Sequence, residues 1–134
     1  MDIDYAIIAD YAEIAAGKLF LMGGGWDNYR LPEVPGQLRM AMVVGVRVDW
    51  DETNQNIPVR LTVEDDDGQV HVRIDGAVAV GRPAQLPPGA TQLAQLSANV
   101  SVDIQRHGGF RVVVVVGEGE NVRQRTLPFR VSPS

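Results

Sequence analysis

The thirteen residues from Leu38 to Trp50 alternate in a way that a β-strand accommodates and a helix does not. Because successive side chains of a strand point to opposite faces, every second residue shares a face. The segment therefore predicts a long central strand with one face in the core and the other facing outward. The predicted core face holds Leu38, Met40, Met42, Val44, Val46, Val48 and Trp50, and the predicted outward face holds Arg39, Ala41, Val43, Gly45, Arg47 and Asp49.

Similar short alternating segments recur along the rest of the chain, separated by turn residues. Such spacing without a long helix is typical of an antiparallel sandwich or barrel. We predict an antiparallel immunoglobulin-like β-sandwich of seven to nine strands, with a jelly roll as the alternative, in a single domain spanning residues 1–134. The predicted strands are Ile57–Glu64, Val70–Ile74, Ala77–Val80, Asn99–Gln105, Phe110–Val116 and Val122–Val131, and Ala90–Ala98 could hold one helical turn.

The opening stretch from Tyr5 to Trp26 predicts a hairpin that turns at Ala15–Gly17. A helix from Tyr11 to Ala16 is the competing interpretation, but six residues make a marginal helix. The first strand is apolar on both faces, which suits a sheet covered on both sides or one packed against a partner. The run Gly23–Gly25 predicts a sharp bend that brings Trp26 onto the core, with an anion-binding nest of backbone amides as the alternative.

Composition excludes several classes of function. The chain has no cysteine, so disulfides, thiol chemistry and thiolate metal sites are excluded. Its net charge is −5, which argues against nucleic acid or an anionic membrane as the main partner. The first residues are acidic where a signal peptide would be basic, so a cytoplasmic location is expected.

Two acidic loops offer the best candidate metal ligands. They are represented by Asp49 and Asp51 after the long strand, and by Asp65 and Asp67 in the next predicted hairpin. They could form a calcium site only if both loops lie at the same end of the sandwich. The spacing of a calcium-binding loop fails, because Val63 occupies its first position. We therefore expect solvated turn residues without a metal or another cofactor.

The sequence offers no catalytic constellation. The two histidines, His71 and His107, lie in a predicted outward strand position and in a turn, without the spacing of a metal site. Serines occupy ordinary strand positions or the C-terminal tail rather than a strained elbow. We therefore expect a protein that is not an enzyme.

Apolar residues on predicted outward faces are more informative. Val43, Val113 and Val115 would leave an apolar surface that a monomer rarely exposes, and Trp26 adds an aromatic ring. Either the connection from Gly81 to Leu96 covers these valines, or both strand faces are buried, or a partner binds there. The leading hypothesis is a protein-interaction or structural module whose partner is another protein or a second copy in a homodimer. A small-molecule or calcium-binding module that uses loops at one end is the alternative.

Several short motifs together resemble a group of small bacterial proteins of unknown function. The motifs are Asp10-Tyr11-Ala12-Glu13, Gly17-Lys18-Leu19, Gly23-Gly24-Gly25-Trp26, Gly109-Phe110-Arg111-Val112 and Pro128-Phe129-Arg130-Val131, with a proline-rich middle. The resemblance covers nearly the whole chain. It implies a cytoplasmic immunoglobulin-like sandwich and brings no activity and no catalytic residues.

Overall fold

The computed structural model describes all 134 residues as two stacked β-sheets. Every neighbouring pair of strands is antiparallel except β3 with β9. One sheet has the order β2-β1-β4-β7, and the other has the order β3-β9-β8-β5-β6. The nine strands are β1 Asp2–Ala15, β2 Lys18–Gly24, β3 Asn28–Arg30, β4 Gly36–Val48, β5 Ile57–Asp65, β6 Val70–Val78, β7 Gln92–Ile104, β8 Gly108–Glu118 and β9 Asn121–Ser132.

This arrangement confirms the predicted immunoglobulin-like sandwich. A single 3-10 turn, Trp50–Glu52, is the only helical element, and no helix is long and apolar enough to cross a membrane. The predicted helical turn in Ala90–Ala98 is wrong, because β7 begins at Gln92 and pairs with β4 over its full length.

The separation of the predicted strands Val70–Ile74 and Ala77–Val80 is also wrong, since β6 continues through Asp75 and Gly76. The Asp75 carboxylate accepts hydrogen bonds from Arg60 Nε at 3.2 Å and Arg73 Nε at 2.8 Å. These hydrogen bonds keep Asp75, a residue type that is common in turns, within the ladder between β5 and β6.

Strand β4 lies between β1 and β7 and carries the core, as the alternation predicts. Its inner residues, from Leu38 to Val48 in steps of two, are at most 1% exposed. Trp50 alone departs from the prediction, because the strand ends at Val48 and Trp50 begins the 3-10 turn. Residues that share this core from the second sheet include Val59, Leu61, Val63, Val112, Val114 and Val116.

Truncation of Val46, which is 0% exposed, tests this register. Val46→Ala is expected to lower the free energy of unfolding by about 1–3 kcal/mol, through lost burial and a residual cavity. Urea denaturation monitored by circular dichroism measures it. A stability unchanged within error would place this face of β4 outside the core.

The middle of the outer face of β4, at Ala41, Val43 and Gly45, is buried as well, because the β1–β2 hairpin folds over it. Strand β1 pairs with β4 only as far as Ala9 opposite Ala41. Beyond that point Ala12 lies against β7, where its N–H donates to Asn99 Oδ1 at 3.2 Å and its carbonyl accepts from Asn99 Nδ2 at 2.7 Å. Gln95 Nε2 donates to the carbonyl of Gly17 at 3.1 Å. We call residues 10–24, which cross the sheet in this way, the arm.

A second apolar cluster lies beneath the arm. Ala9, Ala12, Ala41 and Val43 are each at most 1% exposed, and Tyr5, Leu19 and Leu21 pack against them. Gly45 has no side chain where the ring of Tyr5 rests, and a Cβ there would overlap that ring. Burial of both strand faces is one of the explanations expected for the apolar outward residues of β4. The structure confirms it for Ala41 and Val43.

The arm turns and ends through residues with positive φ. Ala16 and Gly17, with φ of 51° and 73°, form the two-residue turn between β1 and β2. The predicted hairpin is confirmed, and the helix over Tyr11–Ala16 is excluded. Gly23 and Gly25, with φ of 60° and 80°, then redirect the chain so that Trp26 packs against the core. This is the bend that the glycine run predicts.

Candidate functional site

A polar cleft of about 460 Å³ opens at the end of the sandwich where β5 turns into β6. It contains the one carboxylate of the chain that is buried and pairs with a histidine. A cleft that contains such a pair is the best candidate for a functional site in this structure. The lining residues are Asp65, Asp67, Gln69, His71, Asp103, Gln105, Arg106 and Phe110.

Asp65 is 6% exposed, although the sequence predicts an exposed turn residue. Its Oδ1 accepts the backbone N–H groups of Asp67 at 2.9 Å and Gln69 at 3.0 Å. Its Oδ2 accepts from His71 Nε2 at 2.9 Å. The hydrogen bond from His71, followed by those two backbone donors, holds the pKa of the Asp65 carboxyl below its ordinary value despite burial. Asp65 thus closes the β5–β6 turn from within.

His71 reaches Asp65 because β6 contains a bulge. Val63 pairs with Val72, but Glu64 pairs with Val70, so His71 is the additional residue. The bulge turns the imidazole inward, against the Phe110 ring at a centroid distance of 5.8 Å. It also leaves Val70 49% exposed. The predicted outward position of His71 is therefore wrong, since a single extra residue exchanges the two faces of a strand.

The remaining charges of the cleft lie in the open. Arg106 pairs with Asp67, and both side chains are more than two thirds exposed. The lining includes no serine, threonine, cysteine or lysine that the His71–Asp65 pair could activate as a nucleophile. Because both oxygens of Asp65 accept hydrogen bonds from donors of its own hairpin, the pair stabilises the β5–β6 hairpin.

Removal of the Asp65 charge tests this structural role. A carboxyl with a lowered folded pKa contributes stability above its unfolded pKa, near 3.9, and loses it as the pH falls through the folded value. Asp65→Asn is therefore expected to lower the melting temperature by several degrees at pH 7. The difference in melting temperature between this variant and the parent should become smaller as the pH falls below about 4.

Melting temperatures of the variant and the parent, measured at pH 7, 5, 4 and 3, give this difference. The matched control is Asp66→Asn at the exposed neighbouring position, which should have little effect at any of these pH values. A deficit in Asp65→Asn that stays constant down to pH 3 would show that the charge of Asp65 does not stabilise the fold.

The two acidic loops do not meet. Asp49 and Asp51 precede β5, whereas Asp65 is its last residue and Asp67 follows it. Nine extended residues place them about 25–30 Å apart. The hypothesis of one calcium site built from these four aspartates is therefore wrong.

The first acidic loop instead surrounds the backbone amine of Met1, which lies 2.7 Å from both Asp49 Oδ2 and Glu52 Oε1. Burial disfavours the charge of this amine, but the hydrogen bonds to the two carboxylates outweigh burial and raise its pKa.

Val113 and Val115 lie on the outer face of β8, as predicted, and are only half buried. Their cross-strand neighbours are polar: Thr62 and Thr126 flank Val113, while Arg60 and Gln124 flank Val115. The shallow groove around them includes no residue of the Gly81–Leu96 connection. Its last residues belong to β7 in the other sheet, and near its start Arg82 Nη2 donates to the carbonyl of Trp50 at 2.6 Å.

The other two predicted interaction residues have different environments. Val43 is 1% exposed beneath the arm, so its place in an accessible surface is a wrong prediction. Trp26 is partly buried, with ring centroids 5.6 Å from Tyr29 and 5.9 Å from Phe129. Its indole N–H is buried without a hydrogen-bond partner. Trp26 chiefly covers the core beside the start of the arm.

Sequence reasoning missed the outer face of the arm, which is the most apolar exposed surface. Met22 is 70% exposed, Phe20 is 53% exposed and Tyr11 is 48% exposed. Tyr11 pairs with Met22 across the hairpin, and Glu13 pairs with Phe20 in the next row. Counting outward from the turn at Ala16–Gly17 would have placed these side chains on one face, but not shown that the face points to solvent.

Comparison with solved structures finds distant likenesses. The CARDB domain of the PF1109 protein from Pyrococcus furiosus, solved in complex with di-metal ions, is 13% identical with a TM-score of 0.41, and the alignment covers 98% of this chain and 96% of that one. A structural-genomics target named SoR45 is 14% identical with a TM-score of 0.32, over 78% of this chain and 80% of its own. Both likenesses are too distant to bear on a ligand or an activity.

No curated protein matches the sequence. A described protein family, however, matches residues 4–132, which is nearly the whole chain. The chain therefore belongs to a family of unknown function, DUF6941.

Proposed function

We propose that this protein is a cytoplasmic module without catalytic activity that binds another polypeptide through the outer face and free edge of its arm. The exposure of apolar side chains carries the proposal. The structure has six large apolar side chains with substantial exposure, and three of them, including the two most exposed, are the neighbours Tyr11, Phe20 and Met22. Clustered exposed apolar side chains are typical of interaction sites, whereas scattered ones are ordinary.

The backbone of the arm supports the same proposal. Strand β2 is the edge of its sheet and pairs with β1 alone. An edge strand presents unpaired N–H and C=O groups that a second strand can complete. Between Lys18 and Gly23 this edge has no charged residue and no proline, the residues that usually protect such edges.

The absence of a nucleophile in the cleft of His71 and Asp65 is consistent with a non-catalytic role. The lack of cysteine fits a reducing compartment such as the cytoplasm, and the net charge of −5 fits neither nucleic acid nor an anionic membrane as partner.

A photo-crosslinking amino acid at position 20 tests the proposal in cells, with position 70 as the matched control. Both positions are about half exposed, but Val70 lies on the other sheet. We expect discrete crosslinked products from position 20 that are absent at position 70. The crosslinked protein is then identified by mass, and its purified form should bind the parent and lose binding to Met22→Glu. Absence of products from position 20, or the same products from both positions, would contradict a binding role for the arm.

The second candidate is a cation- or small-molecule-binding module that uses the cleft, where Asp65, Asp67 and Asp103 line one opening. A ligand that binds only the folded state raises the melting temperature. Calcium titration of the parent and of a variant with Asp65, Asp66 and Asp67 changed to Asn tests this alternative. Under our proposal calcium shifts neither melting curve. A rise in the parent that the variant lacks would favour the cleft instead.

A further inference from the structure

We propose, resting on the binding role of the arm, that Met22 is a site of reversible oxidation, and that its conversion to the sulfoxide by a hydroperoxide weakens binding by the arm. The proposal follows from three observations. They are the unequal exposure of the four methionines, the place of Met22 between two aromatic side chains, and the separation of this residue from the contacts that hold the arm on the sheet.

Exposure singles out one thioether. The chain has four methionines and no cysteine, so no thiol competes for an oxidant. Met40 and Met42 are at most 1% exposed and Met1 is 8% exposed, whereas Met22 is 70% exposed. A peroxide must approach the sulfur lone pair directly, because oxygen transfer is a displacement at the peroxide oxygen. In the folded protein Met22 is therefore the sulfur that such an oxidant reaches.

The reaction needs no catalytic group from the protein. The sulfur lone pair of Met22 attacks the terminal oxygen of the hydroperoxide, so that a sulfur–oxygen bond forms while the oxygen–oxygen bond breaks. The proton of the transferred oxygen passes to the departing oxygen, which leaves as water or an alcohol. The sulfur loses two electrons and the peroxide gains two. The sulfoxide is reduced back to the thioether by methionine sulfoxide reductases.

Met22 lies in the middle of the apolar surface that the arm exposes. Tyr11 pairs with Met22 across the hairpin, and Phe20 lies on the same face two residues along the strand. A sulfoxide is polar and accepts hydrogen bonds from water, whereas a thioether packs well against aromatic rings. A partner that packs between the two rings would have to bury that oxygen, which is unfavourable unless the partner supplies a donor.

The support of the arm does not depend on Met22. The cluster beneath the arm holds Ala9, Ala12, Ala41 and Val43, with Tyr5, Leu19 and Leu21 packed against it, and includes no methionine. Because successive side chains of a strand point to opposite faces, Leu21 contacts the sheet while Met22 faces away from it. Oxidation therefore changes the binding surface and leaves the arm in place.

The first experiment tests the site without a partner. The folded parent is treated with hydrogen peroxide, and peptide mass spectrometry follows each methionine over time. Met22 is expected to react at least ~10-fold faster than Met40 and Met42, and at nearly the same rate in the folded protein as in urea. Retention of the folded protein on a phenyl column should fall after treatment of the parent but not of Met22→Leu. Equal rates for Met22 and the buried methionines would overturn the oxidation site.

The second experiment tests the effect on binding. The partner identified by crosslinking from position 20 is titrated with the parent and with Met22→Leu, each before and after peroxide, and circular dichroism checks that all four samples are folded. Oxidation of the parent is expected to raise the dissociation constant at least ~10-fold, and methionine sulfoxide reductase should restore it. Met22→Leu should bind equally before and after treatment.

The outcomes separate the two proposals. A partner that binds the oxidised and the untreated parent equally overturns the effect of oxidation and leaves the binding role of the arm intact. The same loss of binding in peroxide-treated Met22→Leu would assign the effect to another residue and overturn the role of Met22. Selective oxidation of Met22 without any crosslinked partner contradicts the binding role of the arm, and control of binding by Met22 fails with it.

Discussion

Val43→Lys is expected to be among the most damaging single substitutions in this protein, although sequence periodicity places Val43 on an outward face. The side chain is 1% exposed beneath the arm, among Ala9, Ala12 and Ala41. A lysine there must either bury an ammonium without a partner or lift the arm from the sheet. We expect a loss of at least ~3 kcal/mol in the free energy of unfolding.

Val113→Lys is the matched control, because it makes the same change on the outer face of the other sheet. Val113 is partly exposed between Thr62 and Thr126, so the ammonium can reach water. We expect a cost under ~1 kcal/mol. Chemical denaturation of both variants gives the two values. Equal costs would mean that the arm does not cover β4 in solution.

Phe129→Ala is the second substitution with a large expected effect. Phe129 is 2% exposed and stacks on Phe110 with centroids 5.6 Å apart, and Trp26 meets it edge to face at 5.9 Å. The Phe129 ring therefore joins two strands of one sheet to Trp26, which lies two residues beyond the arm. Truncation is expected to cost about 3–5 kcal/mol, because the cavity it leaves lies among rigid rings.

Phe20→Ala provides the comparison, since Phe20 is 53% exposed on the arm. This truncation should cost less than ~1 kcal/mol in the free energy of unfolding. Near-ultraviolet circular dichroism adds a second readout, because only Phe129→Ala should change the environment of Trp26. A cost for Phe129→Ala as small as that for Phe20→Ala would show that the aromatic cluster does not support the fold.

The inner face of β4 could be predicted because it depends only on local alternation. Met40, Met42 and Val44 are apolar at every second position, and the core that receives them is the interior common to any sandwich. The hairpin turn at Ala16–Gly17 and the bend at Gly23 are local for the same reason, since each depends on a backbone conformation at one or two residues. Such features need no knowledge of distant segments.

The outer face of β4 could not be predicted in the same way. Whether Val43 is exposed depends on where residues 10–24 lie, and the hydrogen bonds between Ala12 and Asn99 that fix the arm join positions 87 apart in the chain. The alternation shows that an apolar second face needs cover. It does not show what supplies the cover.

The candidate site could not be predicted from the sequence for a more local reason. Three successive aspartates and a glycine predict a turn correctly, but they do not show which carboxylate turns inward. The bulge at His71 decides this, because it brings an imidazole to Asp65 while Asp66 and Asp67 stay exposed. A bulge of one residue leaves almost no trace in an alternating pattern.

The molecule also contains two apolar clusters of unequal size, the main core and the cluster beneath the arm. The main core holds 23 buried residues, whereas the cluster beneath the arm holds four. Partial opening events follow the least buried contacts, so amide protons of residues 10–24 should exchange with solvent well before those of β4 and β8. An arm that has opened exposes the apolar surface around Ala41 and Val43, which the arm of any other copy fits equally well. Exchange of arms between molecules is therefore a route to aggregation that is built into this fold.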